Sequence, residues 1–484
     1  MTYQSIGALR ADLRARKVSA AELVDQAIAR IEDLDGKLNA VVVRDFDRAR
    51  AAAKAADAAT MRADDRPLLG IPMTVKECFN VAGLVTTWGI PGTEGNRVEF
   101  DSVAVARLKA AGAIILGKTN VPTMLMDWQS YNPIHGITNN PWDVTRTPGG
   151  SSGGGAAALA AGFVPLEFGS DLGGSLRVPA HCCGIFAHKP TQGIVPMRGM
   201  SPPGSTEVAV SAPVDLAVIG PMARCADDLI LALDVVAGPD QRDAIGYKLE
   251  PPPARHARLA DFRVLLFDAH PLVPTDQAIR SEFAALADRL AKAGCKIGRS
   301  SPLLPSLEQI AAAFTELLMS FVGADMPEAD YKGARVAVES LPPDAPAIQT
   351  AHMRGLTLSH RDWIRTDRQR AAIAGQWRAL FQEYDVVLCP VMPNVAFPHD
   401  HRPMMQREIV IDGKTLPYGH QGIWAGPATV SGQPATAMPI GVSAEGLPIG
   451  AQIIGPYLED RTTLEFARLA EREFGGFVPP PDMR

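Results

Sequence analysis

The hydrophobic and polar positions divide the chain into three zones with different spacing. In the first zone, residues 5–60, apolar residues recur at helical intervals. Ser19 precedes a run in which Leu23 and Ile31 fall on one helical face. Glu22 stands three residues after the serine, as in a capping box. The pattern predicts an amphipathic outer helix that begins just after Ser19.

In the second zone, from about residue 68 to 235, short apolar runs alternate with glycine- and proline-rich turns. The third zone repeats this rhythm, with a predicted helix from about 276 to 293 and a helix-rich, less patterned stretch up to about 380. Such runs between turn signals are typical of buried strands that alternate with helices. No repeat of roughly 20–50 residues and no Ser/Gly linker divides the chain. We therefore predict one large α/β unit with a variable helical insertion near residues 300–380.

Composition places the chain among ordinary globular proteins. Its 484 residues are 46% hydrophobic and 21% charged, with a formal net charge of −6. Acidic and basic residues are mixed, which argues against a nucleic-acid or anionic-membrane partner. The first residues lack an apolar signal-peptide core, and the apolar run at residues 156–166 is far shorter than the roughly 20 residues of a spanning helix. We therefore expect a cytoplasmic protein.

The cysteines and histidines offer two short clusters of metal-ligating residue types, at residues 181–183 and 399–401. Adjacent side chains diverge in direction, and neither cluster has a second group of ligands at a suitable spacing. The six cysteines also lack a CxxC pair, which suits core thiols in a reducing compartment. We predict no metal and no cofactor.

Residues 112–119 read GAIILGKT and match the G-x-x-x-x-G-K-[ST] pattern of a phosphate-binding loop. Such a loop must lie between a strand and a helix N-terminus, with its backbone N–H groups free. The positions between the two glycines are Ala-Ile-Ile-Leu, which favour a buried strand, and Pro122 opposes the helix that should follow. We predict a strand end and a turn in place of a nucleotide site.

Residues 149–153, GGSSG, match the nucleophile elbow G-x-S-x-G of α/β-hydrolases. An elbow needs a hydrophobic strand that runs directly into the serine, whereas Ser151 follows NNPWDVTRTPGG, a loop with two prolines. The context favours a Gly/Ser loop that opens an Ala-rich helix.

A second serine, Ser175, lies 24 positions after Ser151 in the stretch GSDLGGS. Glycine permits unusual backbone dihedrals and a close approach of N–H groups to a ligand. A concave nest for a tetrahedral oxyanion is therefore expected from four successive N–H groups, those of Leu172, Gly173, Gly174 and Ser175. The alternative is a pair of flexible loops without chemistry.

Together these motifs resemble the amidase signature family of serine hydrolases. The match is carried by GGSSGGG and GSDLGGS, with further agreement in GIPMTVKECFNVAG upstream and GLPIGAQIIGP downstream. The resemblance implies that Ser175 is the nucleophile, Ser151 a relay serine and Lys76 the lysine of a catalytic triad. It also implies a cis peptide bond between Gly150 and Ser151.

The resemblance further implies one amidase signature domain over residues 1–484, with a central mixed β-sheet covered by helices on both faces. Within it, residues 1–65 form an N-terminal helical segment and 66–240 the catalytic core. Residues about 300–380 form the variable helical insertion, and 385–484 the C-terminal part of the core.

The chemistry requires a base, because a serine hydroxyl is a poor nucleophile at neutral pH and a lysine serves as its base only with a depressed pKa. Lys76 follows the apolar run LLGIPMTV, and burial can lower a lysine pKa by up to about 3–5. We expect Ser175 to attack an amide carbonyl while Ser151 passes the proton toward Lys76. The alternative is a surface lysine at a strand end.

Three residues near the nest are expected to support it. Ser170 and Asp171 are expected to brace the backbone. Arg177 is expected to pair with a neighbouring carboxylate in preference to meeting the substrate.

The substrate pocket is expected in the segment before the Gly/Ser loop, which tends to line the acyl pocket in the family. Leu125, Met126 and Trp128 stand there and favour a broad apolar or aryl group. These residues fit the core of the fold equally well. Urethanes, cyclic oligoamides, aryl amides and primary amides all remain open.

We predict an amidase that acts on a small-molecule amide and water, without nucleic acid or membrane, and leave a homodimer open. One alternative is the glutaminase subunit of a tRNA-dependent amidotransferase, which has the same serine and lysine arrangement. Such subunits resemble one another in carrying glutamine after the arginine of SLR, where this chain has Val178. The other alternative is a catalytically silent binding protein on the same scaffold.

Overall fold

The strands lie within residues 2–61, 64–204 and 214–483, the part of the chain that this computed structural model describes. In chain order they are β1 (Val41–Arg44), β2 (Pro72–Lys76), β3 (Ile114–Thr119), β4 (Tyr131–Asn132), β5 (Gly136–Ile137), β6 (Leu166–Asp171), β7 (Phe186–Lys189), β8 (Val218–Ala223), β9 (Arg263–Leu266), β10 (Lys296–Gly298), β11 (Val386–Pro390), β12 (Glu408–Ile411), β13 (Lys414–Pro417), β14 (Ala435–Val442) and β15 (Pro448–Ile454).

Eleven of these described strands form one sheet in the order β1-β3-β2-β6-β8-β7-β14-β15-β11-β9-β10. The sheet is mixed, because β2 is parallel to both β3 and β6, whereas β6, β8, β7, β14, β15 and β11 pair antiparallel in turn. Since β2 and β6 run the same way, Lys76 and Asp171 end neighbouring strands at the same edge of the sheet.

The α-helices of the described residues pack against this sheet or against one another. They are α1 (Ile6–Arg14), α2 (Ala20–Leu38), α3 (Phe46–Thr60), α4 (Val103–Ala110), α5 (Gly153–Ala160), α6 (Arg177–Cys183), α7 (Ala226–Val236), α8 (Gln277–Lys292), α9 (Leu307–Ala324), α10 (Glu328–Glu339), α11 (Ala347–Leu356), α12 (His360–Glu383), α13 (Gly426–Thr429) and α14 (Asp460–Phe474). The predicted fold class, a single α/β domain with a large mixed sheet flanked by helices, is confirmed.

Local signals in the sequence account for several of these elements. The Ser19 hydroxyl accepts from the Glu22 N–H at 3.1 Å, and the Glu22 carboxylate accepts from the Ser19 N–H at 2.8 Å, so the capping box starts α2 as predicted. The helix predicted from about 276 to 293 is α8.

The phosphate-loop look-alike is a strand, as predicted. Residues of β3 are all buried, and the Lys118 ammonium donates to the backbone carbonyl of Val85 and to Thr86 Oγ1. The strand therefore leaves no open loop at this lysine for a nucleotide phosphate.

The stretch at residues 300–380 folds into α9, α10, α11 and most of α12. Buried apolar residues of α9 and α12 join those of β11 and residues 418–430 in a second hydrophobic cluster, distinct from the larger one around the rest of the sheet. Among the described helices, α9 alone is long and apolar enough to cross a membrane, with a mean hydropathy of 1.2. A core helix passes the same test, so this is weak evidence for a span.

Candidate active site

Lys76 is the last residue of β2 and has no exposed surface. Its Nζ lies 2.6 Å from Ser151 Oγ and 2.9 Å from Ser170 Oγ. Burial disfavours the charged ammonium and lowers the pKa of Lys76 to about 8. The fold thus brings a lysine with a depressed pKa into direct contact with two serine hydroxyls.

Three titratable groups lie near enough to Lys76 to influence its charge. Burial raises the pKa of the Cys78 thiol to about 12 and that of Glu167 to about 8. Burial also acts to raise the pKa of Asp171, but the Arg177 guanidinium outweighs it and holds that pKa at about 2. At neutral pH, Asp171 is therefore the ionised group among the three.

Ser151 is buried in the loop that leads into α5. The loop carries the expected cis peptide bond between Gly150 and Ser151. A side chain at Gly150 would collide with the backbone of Asp127 and Gln129, so glycine is required for this close approach. No strand runs into Ser151 in the described residues, and the prediction of a Gly/Ser loop that opens an Ala-rich helix is confirmed, since α5 begins at Gly153.

Ser175 follows the end of β6 and is 8% exposed. Its carbonyl accepts from the Ser152 N–H at 3.2 Å, which joins the two serine loops. Gly174 before it has a φ of +97°, a conformation that favours glycine. The two candidate catalytic serines thus lie on adjoining backbone.

The four amides expected to form the nest do not have the same partners. The Gly174 N–H donates to Asp171 Oδ1 at 2.9 Å. The N–H groups of Leu172, Gly173 and Ser175 have no hydrogen-bond acceptor among the described residues. These three amides are therefore open, without a protein partner, whereas the Gly174 N–H is held by Asp171 and is not available as the fourth donor of the predicted nest.

Asp171 and Arg177 form a buried, two-point ion pair, with distances of 2.9 and 3.0 Å. Asp171 also accepts from the Leu176 N–H at 3.1 Å, so its carboxylate ties together both ends of the Ser175 loop. The remaining Arg177 donors reach Gln452 Oε1 at 2.8 Å and Thr429 Oγ1 at 2.8 Å. Arg177 is 1% exposed and is fully occupied by the protein.

The three predicted pocket residues lie in different environments. Leu125 packs against the first hydrophobic cluster, and Met126 is 48% exposed. Trp128 is half-buried, and its Nε1 donates to the Gly173 carbonyl at 2.9 Å. Of the three, Trp128 is the one in contact with the Ser175 loop.

Sequence reasoning missed the group that holds this pocket segment. Asp127 accepts from Arg407 Nη1 at 2.6 Å and from the Tyr418 hydroxyl at 2.6 Å. The Asp127 and Arg407 side chains are each at most 5% exposed. Gln452 was also missed, although a glutamine inside the apolar strand signature GLPIGAQIIGP is a signal for a buried polar contact.

A cavity of about 240 Å³ lies elsewhere, lined by Leu286 of α8, Met438 of β14 and Phe474 of α14, among others. None of the predicted site residues lines it. The buried Lys76 and its serine neighbours therefore remain the candidate active site.

Comparisons with known proteins agree with this assignment of the fold. The amidase family model matches residues 22–464. A glutamyl-tRNA(Gln) amidotransferase subunit of Anaeromyxobacter sp. (strain K) is 33% identical, over 98% of this chain and 96% of its own length. A solved protein complex described as revealing the evolutionary origins of an s-triazine catabolic enzyme contains a chain with a TM-score of 0.80 and 28% identity, over 97% of this chain and 99% of that one. A bacterial aryl acylamidase of the amidase signature family has a TM-score of 0.79 at 24% identity, over 98% and 96% of the two chains.

Proposed function

The chain belongs to the amidase family, and we propose that it hydrolyses a carboxamide or a related C–N acyl bond through a covalent acyl-serine intermediate. One observation carries this proposal: the buried Lys76 Nζ lies 2.6 Å from Ser151 Oγ, at the edge of the sheet where Ser175 sits among unpartnered amides. A lysine that shares a hydrogen bond with a serine can act as its base once it is neutral.

In the first half-reaction, Ser175 Oγ bonds to the substrate carbonyl carbon. Its proton moves to Ser151 Oγ, and the proton of Ser151 moves to the neutral amine of Lys76. The oxygen of the tetrahedral intermediate accepts from the open amides of the Ser175 loop. As the C–N bond breaks, the relay returns one proton to the leaving nitrogen, so amine departs neutral and acyl-Ser175 remains.

In the second half-reaction, a water molecule attacks the acyl carbon. Ser151 and Lys76 take the proton from that water, and the same relay then returns it to Ser175 Oγ as the carboxylic acid leaves. Because one base serves both halves, loss of Lys76 is expected to stop both acylation and deacylation.

We propose a small substrate with an apolar or aryl group. The support is an aromatic wall in which Trp128 contacts the Ser175 loop, the Trp128 and Tyr418 rings are 5.8 Å apart, and the Phe397 and Tyr418 rings are 5.7 Å apart. Such a wall favours flat apolar groups over charged ones. We keep a cytoplasmic location and a small-molecule partner as further predictions.

The second candidate is a glutaminase subunit of a tRNA-dependent amidotransferase, which the 33% identity to such subunits favours. Against it stands Val178, which is buried beside Gly174 where those subunits carry a polar glutamine. A glutaminase pocket must also hold a charged amino acid, which the aromatic wall does not favour.

A substrate panel with the purified protein separates these candidates. We expect hydrolysis of aryl or apolar amides and esters, with no activity in Ser175→Ala and an acyl adduct on Ser175 by mass spectrometry. Release of ammonia from glutamine and its transfer to an acylated tRNA by a complex of this chain would favour the amidotransferase. Failure to react with any amide, ester or serine-directed phosphonate would favour the silent binding protein.

A further inference from the structure

Trp128 holds one peptide unit of the Ser175 loop. Its indole Nε1 donates to the Gly173 carbonyl at 2.9 Å. The other end of the same peptide unit, the Gly174 N–H, donates to Asp171 Oδ1 at 2.9 Å. The orientation of the Gly173–Gly174 peptide plane is therefore fixed from both sides.

This peptide unit lies between two of the amides that are open to an oxyanion, those of Gly173 and Ser175. Because a peptide is planar, holding its carbonyl and its N–H determines where the next backbone bonds point. Gly174 has a φ of +97° and no Cβ to restrict its backbone, so the backbone can rotate away if one of these hydrogen bonds is lost. Oxyanion stabilisation depends on donors that are already in place before charge develops.

We propose that Trp128 is a positioning residue, whose indole N–H sets the Gly173–Gly174 peptide so that the amides of Gly173 and Ser175 face the oxyanion. The inference rests on the proposed function, because it assigns Trp128 a role in acyl transfer at Ser175. It also gives Trp128 a second role beside its contribution to the aromatic wall.

The surroundings of Trp128 hold the indole in this orientation. A side chain at Gly422 would collide with the Trp128 ring, so the segment at residues 418–425 packs directly against that ring. The neighbouring Asp127 is tied to Arg407 and Tyr418. The indole is therefore held by packing against residues 418–425, and its backbone is held by the buried ion pair of the neighbouring Asp127.

The test compares Trp128→Phe with the matched control Trp142→Phe. Trp142 is also half-buried, and its Nε1 also donates to a backbone carbonyl, that of Cys183, at 3.0 Å. Both variants lose one indole-to-carbonyl hydrogen bond and keep an aromatic ring. A purely structural role predicts similar changes in melting temperature and no specific change in kcat.

We expect Trp128→Phe to lower kcat for an amide substrate about 10-fold, since loss of a whole oxyanion donor costs about 10²–10³-fold. KM is expected to change less than kcat, and the pH at which kcat/KM levels off is expected to stay the same, because Lys76 is untouched. Trp142→Phe is expected to retain the wild-type kcat. Equal kcat in the two variants would overturn the inference.

If Trp128→Phe does not fold, Gly422→Ala provides the second variant, because the added methyl group collides with the Trp128 ring and shifts its N–H away from the Gly173 carbonyl, while the indole itself is retained. A lower kcat at similar KM in Gly422→Ala supports the inference, and wild-type kcat overturns it. Ser175→Ala is measured alongside. Activity retained in Ser175→Ala contradicts the proposed function itself, which keeps the two failures distinct.

Discussion

Two buried lysines lie on neighbouring parallel strands, and they differ in the hydrogen-bond partners of their ammonium groups. Lys76 is the last residue of β2, and Lys118 lies on β3, where it pairs with Val75 of β2. Neither has exposed surface, and burial lowers the pKa of each to about 8. By burial and by pKa alone, the two lysines are equivalent candidates for a general base.

Their partners separate them. Lys76 Nζ meets two serine hydroxyls, which can exchange protons with it. Lys118 Nζ meets the Val85 carbonyl and Thr86 Oγ1 and lies 3.6 Å from the Glu77 carboxylate. Burial and a depressed pKa are therefore common to both lysines. The contacts with the Ser151 and Ser170 hydroxyls are what distinguish Lys76 as the candidate base.

The largest expected effect tests the Lys76 side of this comparison. Lys76→Ala and Ser175→Ala are each expected to lower kcat/KM by about 10⁴-fold, because members of such a unit act together. Lys76→Arg is expected to remain inactive, since a guanidinium keeps its proton at these pH values. Circular dichroism serves as the folding control. Activity within tenfold of wild type in Lys76→Ala would mean that the base lies elsewhere.

The next effect is on stability and concerns Lys118. Lys118→Met leaves the Glu77 carboxylate buried without its cation, and breaking a buried ion pair costs about 3–5 kcal/mol. We expect the free energy of unfolding in urea to fall by that amount, while kcat per folded molecule stays close to wild type. A loss of activity as large as that of Lys76→Ala would remove the distinction between the two lysines.

A smaller effect is expected at the second hydroxyl partner of Lys76. Ser170→Ala removes the hydrogen bond of 2.9 Å to Lys76 Nζ, and one such bond contributes about 1–1.5 kcal/mol. We therefore expect kcat/KM to fall about 10-fold. Ser152→Ala is the control, because Ser152 Oγ donates to the Ser170 carbonyl and does not contact Lys76. Equal losses in both variants would indicate that Ser170 acts only through the backbone.

Much of the fold follows from local signals in the sequence. The capping box at Ser19 predicts the start of α2, and the Ala-Ile-Ile-Leu run of residues 113–116 predicts a buried strand in spite of its phosphate-loop letters. The order of strands across the sheet and the β12–β13 hairpin were not predicted. Strand order depends on pairing between distant segments, which local patterns do not specify.

For the candidate site, too, the sequence identifies some residues but not the contacts that orient them. Serines within glycine-rich stretches point to Ser151 and Ser175 from the sequence alone. The contacts that orient them are long-range: Arg407 lies 280 positions from Asp127, and Gln452 lies 275 from Arg177. The hydrogen bond from the Gly174 N–H to Asp171 could not be predicted either, because it depends on the detailed path of the backbone.

The pH dependence of kcat/KM, compared in the wild type and Lys118→Met, tests the central claim most directly. Only neutral Lys76 can accept a proton, so kcat/KM is expected to rise about tenfold per pH unit below pH 8 and to level off above it. Because Glu167 titrates near the same pH, Glu167→Gln is measured alongside and is expected to keep the rising limb. The account predicts the same limb near pH 8 in the wild type and in Lys118→Met. A limb that is absent from the wild type, or that disappears in Lys118→Met, would contradict the assignment of Lys76 as the base.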